Sequence, residues 1–290
     1  MFIATLIAAT LPQGEVSAAR DRLDAAGCLP VAEIWVEEGE ACDLQFGRDI
    51  SAARAALEGQ GYDVVAQPVE HRRKKLIVAD MDSTMITVEC IDELADYAGI
   101  KAEVAAVTEA AMRGEMDFGQ ALDARVALLK GMDEAVIDRC LAERVRIMPG
   151  AKALIRTMRA HGATAILVSG GFTRFAEPVA REIGFDRAIA NVLEVADGKL
   201  TGTVAKPIVD AATKLATLSE SVLELGLARA ETLAVGDGAN DLAMITQAGL
   251  GVAYHAKPVV ADAAGARIDQ GDLTALLFAQ GYARREWAEG

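Results

Sequence analysis

The chain has 290 residues, of which 52% are hydrophobic and 25% are charged, so it can bury a core and is not a disordered polymer. Its length predicts one large domain or two modest ones. The formal net charge of −14 argues against nucleic acid or an anionic membrane as the main partner. An anionic substrate would therefore need a local positive charge.

The cysteines and the N-terminus favour a cytoplasmic protein. The cysteines are scattered and form no CxxC pair, which predicts reduced thiols; they are Cys28, Cys42, Cys90 and Cys140. The apolar start, residues 1–9, lacks a basic n-region and is too short to span a bilayer, so we expect a buried first strand. Three histidines are too few to favour a histidine triad or a zinc cluster.

Residues 1–70 are predicted to form a small unit of their own. Their apolar patterns give strands at residues 2–9, 31–37, 42–46 and 62–67, and helices at residues 15–26 and 49–59. The order βαββαβ is that of a ferredoxin-like domain. By this order the unit resembles the ACT-type domains that sense amino acids. A regulatory role, homodimer formation through this unit and simple packing all remain open.

The basic run HRRKK at residues 71–75 is predicted to be a solvated linker, and we place the domain boundary there. Residues 75–290 then alternate strands with helices, which predicts a parallel sheet with right-handed crossovers. The helical, Ala- and Leu-rich stretch at about residues 87–147 interrupts this alternation. We expect it to be a helical cap over the carboxyl edge of the sheet, where it would keep water from a site.

Acidic and small residues follow three of the predicted strands. The apolar strand 76–79 runs into DMDST at residues 80–84, and alternation points Asp80 and Asp82 the same way while Met81 faces the core. The strand at residues 163–168 ends in SGG, and that at residues 231–235 ends in GDGAND. Open α/β sheets bind their ligands at such strand ends.

These residue types suit phosphoryl chemistry. Asp80 and Asp237 would offer oxygen ligands, which Mg²⁺ prefers. A carboxylate can act as a nucleophile, and an acid two residues on can protonate the leaving oxygen and then activate water. The Ser169 hydroxyl and the small residues after it could hold an anion. Lys214 could neutralise charge there, although its local sequence alone favours a solvated helix lysine.

Taken together, these motifs resemble the haloacid dehalogenase superfamily of phosphatases. The four motifs, in order, are DMDST at residues 80–84, Ser169-Gly170, Lys214 and GDGAND at residues 236–241. Within that superfamily the chain is similar to the phosphoserine phosphatases over about residues 75–280. The further matching segments are ECIDE at residues 89–93, AMRGEMDF at 111–118, Arg125-Val126, SGGF at 169–172 and AYHAKP at 253–258.

The resemblance implies a Rossmann-like parallel sheet with an inserted helical cap. It also implies Mg²⁺-dependent hydrolysis of L-phosphoserine through an aspartyl-phosphate intermediate, which is the last step of serine biosynthesis. It implies Asp80 as nucleophile and Asp82 as general acid and base. Mg²⁺ would bind the Asp80 and Asp237 carboxylates and the Asp82 carbonyl, with Asp241 supporting the metal ligands.

It also implies the groups that hold the substrate. Ser169, Gly170, Lys214 and Asn240 would contact the phosphate. In the cap, Glu89 would meet the substrate ammonium and Arg125 its carboxylate, with Met112 and Phe118 as an apolar lid. A planar guanidinium suits a carboxylate, so the pairing is chemically reasonable.

Two alternatives remain open. The enzyme could transfer the phosphoryl group to a second alcohol, or hydrolyse another small phosphorylated amino acid such as phosphohomoserine. A regulatory amino-acid-binding protein with a vestigial phosphatase half is a different class, and the intact Asp80, Asp82, Lys214 and Asp237 argue against it.

Overall fold

The structure is a computed structural model that describes residues 1–288, apart from the side chain of Met112. The N-terminal unit has the predicted order of elements. They are β1 (Phe2–Ile7), α1 (Gln13–Ala25), β2 (Pro30–Glu37), β3 (Ala41–Phe46), α2 (Ile50–Leu57) and β4 (Asp63–Pro68). The strands pair antiparallel in the order β2-β3-β1-β4, which is the ferredoxin-like sheet. The helices lie against one face and bury Val16, Leu23 and Leu57.

The chain then enters the main sheet and leaves it for a helical insertion. The elements are β5 (Leu76–Ala79), α3 (Cys90–Ala98), α4 (Lys101–Met112), α5 (Phe118–Leu128) and α6 (Ala135–Arg144). A single bridge between Ile86 and Ile147 closes the base of the insertion. The inserted helices therefore start and finish at one point above the sheet, as a cap.

The rest of the chain completes the sheet. Its elements are α7 (Ala151–Ala160), β6 (Thr164–Phe172), α8 (Thr173–Ile183), β7 (Arg187–Asn191), β8 (Leu193–Ala196), β9 (Lys199–Val204), α9 (Ala211–Glu224), β10 (Thr232–Gly236), α10 (Leu242–Gln247), β11 (Leu250–Tyr254), α11 (Pro258–Ala263), β12 (Ala266–Ile268) and α12 (Ala275–Ala279). The strands β8 and β9 form a separate hairpin around the predicted turn at Asp197-Gly198.

Six strands run parallel in the order β12-β11-β10-β5-β6-β7, with β5 near the middle. All four residues of β5 are buried, as expected for a parallel strand covered on both faces. Helices on the two faces bury separate apolar clusters. This confirms the predicted fold class, a parallel α/β sheet with a helical cap behind a small α+β unit.

The two sheets join through β4 and β12, which pair antiparallel at Val64 and Arg267. Over the described residues the strands thus form one ten-stranded sheet. The basic run between the sheets is less solvated than predicted, because Arg72 is largely buried against the C-terminal segment and Lys74 is buried against Ala230. No helix within residues 1–288 is long and apolar enough to cross a membrane.

Candidate active site

The first acidic loop begins where β5 ends. The Asp80 N–H donates to the Val235 carbonyl at 3.0 Å, so the pairing with β10 extends one residue past the strand. Met81 is fully buried in the core, and its carbonyl accepts the N–H groups of Met85 and Ile86. This turn fixes the loop, and both Asp80 and Asp82 line one cavity above it, as predicted.

Three carboxylates gather at the ends of β5 and β10. Asp80, Asp237 and Asp241 each place one oxygen within 4.8 Å of the others. Burial, and then the charge of Asp80, raise the pKa of Asp237 to about 6 and that of Asp241 to about 7. The cluster holds more negative charge than its protein surroundings neutralise. An all-oxygen donor set of this kind fits a hard divalent cation.

Lys214 supplies the positive charge within this cluster. It lies on α9, which the Asp210 side chain caps by accepting the Thr213 N–H. Its fully buried ammonium is 2.6 Å from Asp80 Oδ1 and 2.7 Å from Asp241 Oδ1. Burial alone would lower the pKa of Lys214, but the two carboxylates outweigh it and raise the pKa above its ordinary value. The lysine is therefore a fixed cation and not the solvated residue that its local sequence favours.

Asp241 also shapes the second acidic turn. Its Oδ2 accepts the Gly238 N–H at 3.0 Å while its Oδ1 accepts from Lys214. A Cβ at Gly236 would lie 2.4 Å from the Asp241 carboxyl carbon, so glycine is required there. With both oxygens engaged, Asp241 lies where a residue supporting the metal ligands is expected, and that role stays a prediction.

Asp82 meets the first helix of the cap. Its Oδ2 accepts the Cys90 N–H at 3.1 Å, at the start of α3, while Oδ1 is buried and has no hydrogen-bond partner among the described residues. Burial, then the charges of Glu89 and Asp80, raise the pKa of Asp82 well above its usual range. A carboxyl group held in this way can carry a proton and give it up to an oxygen in the cavity.

The last residues of β6, Ser169, Gly170 and Gly171, face these carboxylates; they leave the regular strand pairing and are called the Ser169–Gly170 loop below. The Gly171 N–H donates to Ser169 Oγ at 2.8 Å, which leaves the hydroxyl proton free to point toward a ligand. A Cβ on Gly170 would lie 3.0 Å from Phe118 Cζ. Because a larger residue would press on the cap, Gly170 allows close contact between the cap and the loop.

The cap and the sheet enclose a cavity of about 700 Å³. The predicted site residues that line it are Asp80, Asp82, Glu89, Phe118, Arg125, Ser169, Gly170, Asp237 and Asn240. Lys214 and Asp241 lie beneath its floor, where the Lys214 ammonium pairs with both Asp80 and Asp241. The side chain of Met112 is outside the described residues. The structure thus brings the other predicted residues together, while their individual roles stay predictions.

Opposite charges lie in the cap wall of this cavity. The Glu89 Oε1 accepts the Ser83 hydroxyl at 2.7 Å, and Arg125 Nε donates to the Ala121 carbonyl at 3.2 Å. Burial lowers the pKa of Arg125, against the opposing charges of Asp92 and Glu89. These side chains place one anion and one cation in the wall of the same cavity as the carboxylates.

Sequence reasoning assigned no role to three residues that hold this site. The buried Thr84 hydroxyl donates to Asp237 Oδ1 at 3.2 Å, Ser83 orients Glu89, and Asn191 bonds to the Gly170 carbonyl. The first two lie within the acidic motif, which could have drawn attention to their hydroxyls. Asn191 lies at the end of β7, far from every motif in the sequence, and no local signal marks it.

Comparison with known proteins places the fold and the motifs in a family. A family model described as haloacid dehalogenase-like hydrolase matches residues 77–246. A phosphoserine phosphatase from Streptomyces coelicolor is 47% identical over 239 residues, which are 82% of this chain but only 58% of that protein. A phosphoserine phosphatase from a Polaromonas species is 50% identical over 208 residues, 70% of this chain and 88% of that protein.

A solved structure extends the likeness to the N-terminal unit. The unliganded probable phosphoserine phosphatase from Vibrio cholerae superimposes with a TM-score of 0.77 at 33% identity, over 98% of this chain and 87% of its own. The likeness thus includes both the small antiparallel sheet and the capped parallel sheet. With the family model matched across the acidic loops and the buried lysine, the chain belongs to the haloacid dehalogenase-like hydrolase family.

Proposed function

We propose that this protein hydrolyses L-phosphoserine to L-serine and phosphate, with Mg²⁺, as the last step of serine biosynthesis. One observation carries the proposal: the carboxylate cluster and the Glu89–Arg125 pair open into the same cavity of about 700 Å³. The carboxylate cluster suits a metal and a phosphate, and the Glu89–Arg125 pair suits an ammonium and a carboxylate. The relatives named phosphoserine phosphatase support this choice of substrate.

The metal ligands we propose are the carboxylates of Asp80 and Asp237 and the backbone carbonyl of Asp82. The raised pKa values of Asp237 and Asp241 support a cation here, because a divalent ion would relieve the repulsion among these groups. When bound, Mg²⁺ would polarise the phosphoryl group and offset its negative charge.

The chain's own residues perform the transfer in two steps. In the first, an Asp80 oxygen attacks phosphorus, the bond from phosphorus to the serine oxygen breaks, and the Asp82 carboxyl gives its proton to that oxygen. In the second, Asp82 takes a proton from water, the water oxygen attacks phosphorus and the Asp80–phosphate bond breaks. Lys214, fixed 2.6 Å from Asp80, holds the nucleophile and offsets charge throughout.

Recognition of the amino acid would fall to the cap. Glu89 would bind the ammonium and Arg125 the carboxylate, while Phe118, packed against Gly170, and Met112 would exclude water. A phosphate ester without the amino-acid group would lose both charged contacts. Selectivity would therefore arise in the cap and chemistry in the sheet.

Phosphate release from a substrate panel tests this proposal. L-phosphoserine, D-phosphoserine, phosphothreonine, phosphohomoserine and an aryl phosphate are compared with and without Mg²⁺, beside the variant Asp80→Asn. We expect preference for L-phosphoserine, and a loss of at least about 10³-fold in the variant, because the nucleophile is gone. Activity on the aryl phosphate alone would overturn the substrate assignment. A phosphorylated alcohol in place of free phosphate would indicate phosphotransfer.

We also propose that residues 1–70 form an oligomerisation or regulatory domain, and that residues 75–290 form the catalytic domain with its cap at about 87–147. The edge strand β2 supports homodimer formation, because Val31 and Ile34 on it are 56% and 49% exposed. An open edge with apolar side chains favours pairing with another strand. Sedimentation equilibrium distinguishes a dimer from a monomer.

The buried free thiols suit the reducing cytoplasm, where we place the protein.

A further inference from the structure

The Ser169–Gly170 loop, within the C-terminal end of β6, leaves the regular strand pairing at the point where a phosphate would bind. The register between β6 and β7 pairs Val168 with Ile189 and then Phe172 with Asn191, with an irregularity between the two pairs. Three residues of β6 therefore stand against one of β7, and their backbone bulges out of the ladder. The Gly170 carbonyl in this bulge has to find a hydrogen-bond partner other than the backbone N–H groups of the strand ladder.

A buried asparagine provides that partner. Asn191 Nδ2 donates to the Gly170 carbonyl at 2.8 Å and to the Val209 carbonyl at 3.3 Å, while Asn191 Oδ1 accepts the Val209 N–H at 2.7 Å. The residue is 2% exposed. Its two donor hydrogens and its acceptor oxygen are all engaged, so the orientation of the amide is fixed.

The second partner leads directly to the buried lysine. Val209 precedes Asp210, which caps α9, and Lys214 follows one turn later. Asn191 thus connects two segments that are distant in sequence, the loop that carries Ser169 and Gly170 and the start of the helix that carries Lys214. Both segments have to keep their spacing from Asp80 for a phosphoryl group to fit between them.

We propose that Asn191 is a positioning residue that sets the spacing between the Ser169–Gly170 loop and Lys214. This inference rests on the proposed phosphatase function, because it treats both segments as phosphate contacts. Asn191 does not line the cavity and acts through the backbone of Gly170 and Val209. Losing its amide leaves both segments free to shift, and a displacement of about 1 Å near the reacting atoms costs about 10²-fold in rate.

The test compares two variants with a matched control. Asn191→Ala removes the three hydrogen bonds, whereas Asn191→Asp keeps the volume and the acceptor but lacks the donor to Gly170. Gln280→Met is the control, because Gln280 is equally buried, also takes part in three hydrogen bonds and lies outside the cavity. Activity is expressed per folded molecule, with folding followed by circular dichroism below each melting temperature.

The readouts are kcat/KM for L-phosphoserine and the inhibition constant of inorganic phosphate, both with Mg²⁺. We expect kcat/KM to fall about 10²-fold in both Asn191 variants and the phosphate inhibition constant to rise about tenfold, with Gln280→Met near wild type. Unchanged constants in the Asn191 variants, or equal losses in the control, would overturn the inference.

The same variants separate this inference from the proposed function. If the wild-type protein releases no phosphate from phosphoserine, the proposed function fails. The inference is then decided by the rise in melting temperature that inorganic phosphate and Mg²⁺ produce, since a ligand that binds the folded state stabilises it. A rise in wild type that is lost in Asn191→Ala supports the positioning role, and an equal rise in both contradicts it.

Discussion

Two buried lysines show how the hydrogen-bond and ion-pair partners of an ammonium group determine its pKa. Lys214 lies between two carboxylates, and they hold its pKa above the ordinary value. Lys74 is 4% exposed, and its ammonium donates to the carbonyls of His71 and Ala230 at 2.9 Å each. Carbonyl dipoles compensate burial less than a carboxylate does, and burial lowers the pKa of Lys74 to about 8.

The lowered pKa of Lys74 should therefore make folding stability depend on pH in the alkaline range. From about pH 8, the pKa in the folded chain, to pH 10.5, the ordinary value, the unfolded chain keeps the Lys74 proton and the folded chain does not. Folding stability then rises with pH across this window. Relative to Lys74→Met, we expect wild type to gain on the order of 2–3 kcal/mol between pH 7.5 and 10.5. Urea unfolding at several pH values measures this, and a difference that stays constant with pH would contradict it.

At the scale of the elements, the site loops could be predicted because each follows an apolar strand. The run at residues 76–79 is buried on both faces, and the polar residues after it can only lie at the sheet's edge. The cap could be predicted because its helical pattern interrupts the strand–helix alternation. The carboxylates of Asp80 and Asp237 could also be predicted to be neighbours, since parallel strands end at one edge of the sheet.

The contacts made by Asn191 and Thr84 could not be predicted in this way. Asn191 reaches Gly170 only because the pairing of β6 and β7 is irregular over three residues, and local sequence does not reveal a register shift. Thr84 reaches Asp237 across 153 positions of sequence. Such contacts depend on register and side-chain geometry at the strand ends, which a single sequence does not state.

The start of α7, just after the cap returns to the sheet, depends on one glycine. Gly150 has φ +81°, and a Cβ there would lie 2.6 Å from the Thr274 N and 3.0 Å from the Leu273 N. These are backbone atoms of the segment just before α12, so they cannot move aside cheaply. Gly162, at the other end of α7, has φ +84° with open space around its Cα.

This pair separates steric overlap from backbone strain. We expect Gly162→Ala to cost about 1 kcal/mol of stability, from the left-handed conformation alone. Gly150→Ala should cost about 2–4 kcal/mol, because overpacking adds to that strain. Urea unfolding of both variants measures the difference. Equal losses of stability would mean that the segment before α12 shifts without a free-energy cost and that the overlap does not destabilise the fold.

At the scale of the whole molecule, the run at residues 71–75 shows the main limit of reading from sequence. Its five basic residues predict solvation, yet Arg72 is largely buried against the C-terminal segment around α12, some 200 residues away, and the Lys74 ammonium is buried against the Ala230 carbonyl. The charge pattern describes only the local chain, and burial here is set by a distant element. The linker consequently joins the two sheets instead of separating them.

Arg72 is at the centre of this junction. Its guanidinium binds both oxygens of Asp43 at 2.6 and 2.7 Å, the Thr5 hydroxyl at 3.1 Å, and the carbonyls of Phe278 and Ala279 at 3.1 and 2.9 Å. One side chain thus connects β1 and β3 of the N-terminal unit with α12 of the capped domain. Burial raises the pKa of Asp43, and the charge of Arg72 opposes that rise.

Removing this guanidinium should uncouple the two halves. Arg72→Met leaves the Asp43 carboxylate buried and unpaired, so we expect a loss of about 3–5 kcal/mol. Arg73→Met is the matched control: this side chain is 45% exposed, pairs with Glu286, donates to the Gly281 carbonyl and lies over the Tyr282 ring, so its loss should cost at most about 1 kcal/mol. Urea unfolding is followed through single-tryptophan versions that keep either Trp35, on β2, or Trp287, which packs on Phe278. Wild type should give coincident transitions, because one sheet unfolds as a unit. In Arg72→Met the midpoint of the Trp35 transition should move to a lower urea concentration than that of Trp287. Transitions that stay coincident would show that the sheet junction at β4 and β12 couples the halves without Arg72.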